Sequence, residues 1–289
     1  MLHTLKALEK EGFEVTLLDV HENGVVRVDE LADAIREDTA LVSVMYANNE
    51  IGTIQPITEI GELCKEKKVL FHTDAVQAVG NVSIDVKAQN IDLLSMSSHK
   101  FHGPKGVGAL YVRKGLKIEN LIHGGAQEKG KRATTENVAG IVGMATALKE
   151  ATENMDEKTK KITYLRDKLI EEVLNKIPYT RLNGHREKRL PNNTSFCFKY
   201  IEGESLLLSL DIEGFVVSSG SACTSGSLDP SHVLLGIGLP HETAHGSLRA
   251  TLSEFTTEEE IDSFVAVLIP IVQRLRDMSP LYEELKGKD

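Results

Sequence analysis

Apolar residues along the first half of the chain switch between two spacings. Leu2, Leu5 and Leu8 recur at helical spacing, and residues 13–20 form a short β-rich run. Asn23-Gly24 turns the chain, and residues 29–37 predict a helix. An apolar strand over 40–46, a helix over 57–68 and a strand over 69–73 follow, with further strands over 91–96 and 108–112. Apolar strands separated by helices predict an α/β fold, with a mostly parallel sheet covered on both faces. Such sheets bind ligands beyond the carboxyl ends of their strands, so the residues just after each strand carry the functional information.

The second half reads differently. A long helical stretch over 136–175 contains a break, and strands over 179–182 and 194–200 and a helix over 203–210 follow it. A second strand pair and a helix after Thr257 complete a smaller α+β domain. Thr257 and Glu260 have the spacing of a capping box, in which each side chain satisfies a free backbone N–H of the other. The boundary falls near residue 150, giving a large domain over 1–150 and a small one over 151–289. The chain opens in a helix, whereas a doubly wound sheet ordinarily opens in a strand; the expectation is that further sequence precedes residue 1.

Composition narrows the function classes. The 289 residues are 41% hydrophobic and 26% charged, as in an ordinary globular protein of one large or two average domains. The 33 Lys and Arg against 43 Asp and Glu leave a formal charge of −10, which argues against nucleic acid as a partner. The apolar run over 264–272 is interrupted by Pro270 and too short to span a bilayer, so no membrane partner is expected. No charged-then-apolar leader opens the chain. Cys64, Cys197 and Cys223 are too few and odd in number for a disulfide framework, which implies a reducing, cytoplasmic setting.

Three constellations carry chemistry. The strand over 69–73 ends in Asp74, with Gln77 one turn on, and a later strand ends in Ser97-Ser98-His99-Lys100 before the glycine-rich 103–108. A lysine and a carboxylate at neighbouring strand ends suit pyridoxal phosphate (PLP), which needs an amine for a Schiff base and an anion beside its ring nitrogen. Ser97 and His99 would bond the phosphate and Gln77 the ring oxygen; alone, Asp74 would equally serve as a helix cap and Lys100 as a solvated loop residue. The second constellation is the small-residue stretch 218–227 around Cys223, which cannot build a core and predicts a mobile loop with a reactive cysteine. Cys64 and Cys197 sit among apolar neighbours and read as packing residues. The third is Arg249, in a strand-like run over 247–251, where a guanidinium would hold a substrate carboxylate bidentately or form a surface ion pair. Asn48-Asn49 follows another strand, as a polar contact to the same ligand or as ordinary turn chemistry. The glycine-rich 103–108 lacks the Gly-Lys-Ser/Thr ending of a nucleotide loop, and no histidine pair has metal-site spacing.

These residues resemble a known family. Asn-Asn-Glu-Ile-Gly at 48–52, His-Thr-Asp-Ala-Val-Gln at 72–77, Ser-Ser-His-Lys at 97–100, Gly-Pro-Lys-Gly at 103–106, Ser-Gly-Ser-Ala-Cys at 219–223 and Ser-Leu-Arg at 247–249 are similar to PLP-dependent cysteine desulfurases. The cysteine loop is similar to the NifS/IscS type. The resemblance implies a PLP-dependent transferase fold of the aspartate aminotransferase type (fold type I) and a homodimer. It implies that Lys100 holds PLP and moves the proton at the substrate α-carbon, that Asp74 and Gln77 contact the ring, and that Ser97 and His99 bind the phosphate. Asn49 and Arg249 would hold L-cysteine, and Cys223 would take its sulfur as a persulfide for a sulfur acceptor or iron–sulfur scaffold protein. Thr135 would reach the partner subunit's cofactor; relatives usually carry glycine where Thr134 stands. Relatives also carry about a hundred residues before the position of Met1, including a phosphate-binding threonine loop and a ring-stacking histidine. The resemblance leaves two alternatives: a selenocysteine lyase or other class-V PLP enzyme, and a fragment without turnover that only dimerises or docks a sulfur acceptor.

Overall fold

The computed structural model describes residues 2–219 and 230–286. The chain begins with α1 (Leu2–Lys10), none of whose residues is buried, and α2 (Val28–Ala34). Then come β1 (Leu41–Met45), α3 (Ile57–Lys67), β2 (Leu70–Asp74), β3 (Leu93–Ser97) and β4 (Gly108–Val112). The strand order is β1-β2-β3-β4, with the first two pairings parallel and the β3–β4 pairing antiparallel. Side chains alternate between faces along a strand, and Val42, Phe71 and Leu94 lie in one core with Ile57 and Ile60 of α3. Gly61 lets α3 approach closely: a Cβ there would lie 2.0 Å from the Gln89 carbonyl oxygen.

Two expectations are corrected here. Residues 13–20 form no strand, and Phe13 and Leu17 stay exposed. A strand needs a neighbour for its backbone groups, and none of the described strands pairs with this run. The two faces are also not covered alike: opposite the core, Leu41 and Leu110 on the edge strands are about half exposed, and the described residues of β2 and β3 on that face are only half-buried.

The long helical stretch divides into α4 (Val138–Thr152) and α5 (Met155–Lys176), and the break falls at Asn154, whose φ is 54°. Met144 and Ala147 of α4 join the first core, whereas Ile162, Leu165 and Leu169 of α5 join a second. That second core is built on an antiparallel sheet of β5 (Thr180–Leu182), β6 (Asn193–Phe198) and β7 (Ser247–Thr251). It is completed by α6 (Gly203–Ile212) and by α9 (Glu258–Asp277), which starts with the Thr257–Glu260 capping box. In place of the expected second strand pair, β7 pairs with β6 and, among the described residues, adds a single bridge to Ser218 on its other side. On the other face of β6, Cys197 packs with Ile51 and with residues of α7 (His232–Gly236) and α8 (His241–His245). Ile51 lies in the turn after β1, so this third core fastens the two sheets together.

Candidate active site

Parallel pairing brings the carboxyl ends of β1, β2 and β3 to one edge. Met45 pairs with Asp74, and Asp74 with Ser95, two residues before the end of β3. Asp74 accepts a hydrogen bond from the Val76 backbone N–H at 3.1 Å and has no ion pair among the described residues. No α-helix follows it, so its carboxylate is not a helix cap. Gln77 is half-buried in the turn beyond it.

After β3 the chain closes a single 3₁₀ turn over Ser98–Phe101, ended by His102 at a left-handed φ of 67°. Ser98 and Phe101 point inward and are buried, which leaves His99 and Lys100 exposed on the outer side. Ser97 Oγ lies 2.9 Å from His99 Nδ1, and Lys100 has no ion pair or hydrogen bond among the described residues. The glycine-rich 103–108 leads into β4 and opens no helix. A lysine and a carboxylate, each without an ion pair among the described residues, and a hydroxyl–imidazole pair therefore stand at adjacent strand ends. This donor set fits PLP, whose covalent, pyridinium and phosphate groups need those three partners.

The turn after β1 supplies the third element. Asn48 Oδ1 accepts from the Glu50 and Ile51 N–H groups at 2.8 and 3.0 Å, which fixes the turn locally. Gly52 closes it with a φ of 76°, and a Cβ there would meet the Asn193 side chain at 2.5 Å. Arg249 of β7 reaches across and donates from Nη1 to the Asn49 carbonyl oxygen at 2.7 Å. Its Nε is buried without a partner among the described residues. A buried N–H is seldom left unpaired, so this edge of the guanidinium is suited to a ligand carboxylate. The surface ion pair that Arg249 alone also allowed is absent among the described residues.

Cys64 and Cys197 are both buried, and burial pushes each thiol up to about 11. A thiol held that high is not a nucleophile at neutral pH. Cys223 lies outside the described residues. Thr135 is exposed ahead of α4, and no hydrogen bond joins it to Asp74 or Lys100 among the described residues. Its neighbour Thr134 has a φ of 125°, a backbone conformation that favours glycine.

Three features had little signal in the sequence. His72 sits two residues before Asp74 on the same face, with Nδ1 2.7 Å from Ser43 Oγ and Nε2 2.9 Å from Ser95 Oγ. Burial lowers its pKa while the Asp74 charge opposes the shift. Arg189 is buried, and burial beside Arg166 and Arg186 lowers its pKa. Its guanidinium donates to the carbonyls of Ile51, Asn183, His185 and Asn193, locking the turn to the second sheet. Glu50 is buried against Ser231, and burial raises its pKa.

Comparison with known proteins decides the family. The profile of aminotransferase class-V proteins matches residues 1–264. The chain belongs to the class-V aminotransferase family. Over its whole length it is 61% identical to cysteine desulfurase IscS of Clostridium botulinum, of which it spans 74%. Among solved structures, it matches a NifS-like protein with a TM-score of 0.87 and 40% identity, covering 95% of this chain and 72% of that one. It also matches SspA in complex with cysteine, with a TM-score of 0.73 and 34% identity, covering 89% and 71% respectively. The mixed sheet of β1–β4 is consistent with the fold type I architecture of this class-V family.

Proposed function

We propose that this class-V protein is a PLP-dependent cysteine desulfurase, converting L-cysteine to L-alanine and leaving the sulfur as a persulfide on Cys223. The observation that carries the reading is the grouping of Asp74, Ser97, His99 and Lys100 at adjoining strand ends. The 61% identity to a cysteine desulfurase supports it.

In this reading the Lys100 amine holds the cofactor, Asp74 pairs with its ring nitrogen, Gln77 bonds the ring oxygen, and Ser97 and His99 bind its phosphate. PLP, when bound, supplies the electron sink that makes the substrate α-proton removable. Arg249 holds the substrate carboxylate through the Nε edge left free by its bond to Asn49, and the Asn49 side chain adds a polar contact. Lys100 then takes the α-proton. With Cys64 and Cys197 protonated in their cores, the nucleophile is the Cys223 thiolate. It attacks the substrate sulfur; an S–S bond forms as the Cβ–S bond breaks, and the electron pair left on carbon is protonated to give alanine.

The persulfide passes to a sulfur acceptor for iron–sulfur cluster or thio-cofactor assembly. We read the active form as a homodimer formed across α4, whose Val138, Ile141 and Val142 are exposed next to Thr135. We place the domain division near residue 150, where the packing passes from the first core to the second. The unpaired buried thiols suit a cytoplasmic setting. No helix among the described residues is long and apolar enough to cross a membrane.

The test is cofactor attachment. Incubation with PLP followed by desalting should leave a visible absorption band in the parent chain and none in Lys100→Ala. A band that survives in Lys100→Ala, or none in the parent, contradicts the assignment.

A further inference from the structure

Both ends of the stretch that carries Cys223 return to one turn. At its start, Ser218 and Arg249 exchange two backbone hydrogen bonds, of 3.1 and 2.6 Å, and Arg249 Nη1 is bonded to the Asn49 carbonyl. At its end, the Ser231 hydroxyl donates to the Glu50 carboxylate. Ser231 also caps α7, accepting from the Val233 and Leu234 N–H groups at 3.1 and 3.4 Å, so its single proton is free only for Glu50. Consecutive residues of the β1 turn thus hold the two ends.

Glu50 is unusual as a residue for this place. It is 6% exposed, Ser231 is 4% exposed, and the carboxylate has no ion pair among the described residues. Buried carboxylates are costly unless their oxygens are bonded. The backbone behind it is immobilised: Asn193 Nδ2 donates to the Glu50 carbonyl at 3.3 Å, and Arg189 Nη2 to that of Ile51 at 3.1 Å. Ile51 packs in the same core as Leu234 of α7. A rigid turn therefore presents one buried acceptor to the residue at which the chain re-enters the fold.

We propose that Glu50 is a positioning residue for sulfur transfer: by gripping Ser231 it fixes where the Cys223-bearing stretch rejoins the fold, beside the Asn49–Arg249 contact. This rests on the desulfurase reading above. Glu50 touches neither the cofactor nor the substrate in this role.

The test compares PLP-loaded parent with Glu50→Ala, Glu50→Gln and Ser231→Ala in three measurements. These are the L-cysteine concentration dependence of the visible absorption change, the single-turnover rate at which sulfur appears on Cys223, and amide hydrogen exchange over residues 232–239. Glu50→Ala and Ser231→Ala should slow sulfur arrival by about tenfold or more, as expected for a lost hydrogen bond to a charged group. They should also speed exchange at Val233 and Leu234 and leave L-cysteine affinity within about twofold. Glu50→Gln keeps an acceptor for Ser231 and should restore all three. Sulfur arrival at the parent rate in Ser231→Ala overturns the proposal. So does a loss confined to L-cysteine affinity, which would assign Glu50 to Arg249 instead. If the parent itself places no sulfur on Cys223, the desulfurase reading fails, and exchange decides the clamp separately: unchanged exchange in Glu50→Ala and Ser231→Ala overturns it.

Discussion

Arg249 of β7 donates from Nη1 to the main-chain oxygen of Asn49 at 2.7 Å, a contact between residues 200 positions apart. It joins the second sheet to the turn beyond the first, and it uses one edge of the guanidinium while Nε stays buried without a partner among the described residues. An arginine held by one edge presents the other in a fixed orientation, which is how a planar fork selects a carboxylate.

Replacement of Arg249 by lysine keeps the charge and loses the fork. The ammonium cannot bond Asn49 and present a second fixed edge together. KM for L-cysteine should rise by about ten- to a hundredfold, the value of one or two charge-assisted hydrogen bonds. PLP absorption should be unaffected. Steady-state kinetics check this; an unchanged KM would remove Arg249 from substrate binding.

Cys64 and Cys197 should be silent to alkylation near neutral pH, because burial holds both thiols at about 11. Intact mass should show one modified cysteine in the native chain and all three after unfolding. The same shifts bear on stability. The unfolded thiols ionise first, near 9, while the folded ones stay protonated. Their contribution is therefore complete below pH about 9 and is lost as pH rises toward 11. A urea midpoint that falls across that window checks the sign; one that rises contradicts it.

Thr134 adopts a φ of 125°, where a β-branched side chain is strained. Its hydroxyl takes a bond from the exposed Arg132, which offsets little of that strain. Thr134→Gly should raise stability by about 1 kcal/mol, read as a higher urea midpoint with an unchanged slope. A lower midpoint would mean that the side chain stabilises this segment.

What the sequence disclosed followed how local each signal is. That Asp74 and Ser97 end neighbouring strands, with Lys100 in the turn just beyond, was legible because periodicity located those strand ends. The Thr257–Glu260 capping box depends on three residues of separation and was visible directly. Cys64 and Cys197 were legible from their apolar neighbours. Residues 13–20 misled because β propensity states only that a segment suits a sheet, and whether a neighbour pairs with it is settled by tertiary structure. The Glu50–Ser231 contact spans 181 positions, and nothing in either local sequence marks the other. Arg189 was hidden for a related reason, since its partners are backbone carbonyls, which every residue carries. Cys223 and the rest of the small-residue stretch beyond residue 219 lie outside the described residues, so their part of the site rests on the resemblance and on the chemistry.

The central claim is that sulfur leaves L-cysteine for Cys223. The most direct measurement is intact-protein mass spectrometry of the PLP-loaded chain after a single turnover with L-cysteine, with peptide mapping and alanine quantified in parallel. The account predicts a gain of one sulfur atom on Cys223, matched by an equal amount of alanine, and no such gain in Cys223→Ala or Lys100→Ala. Alanine formed at an undiminished rate by Cys223→Ala, or sulfur found on Cys64 or Cys197 instead, would contradict it.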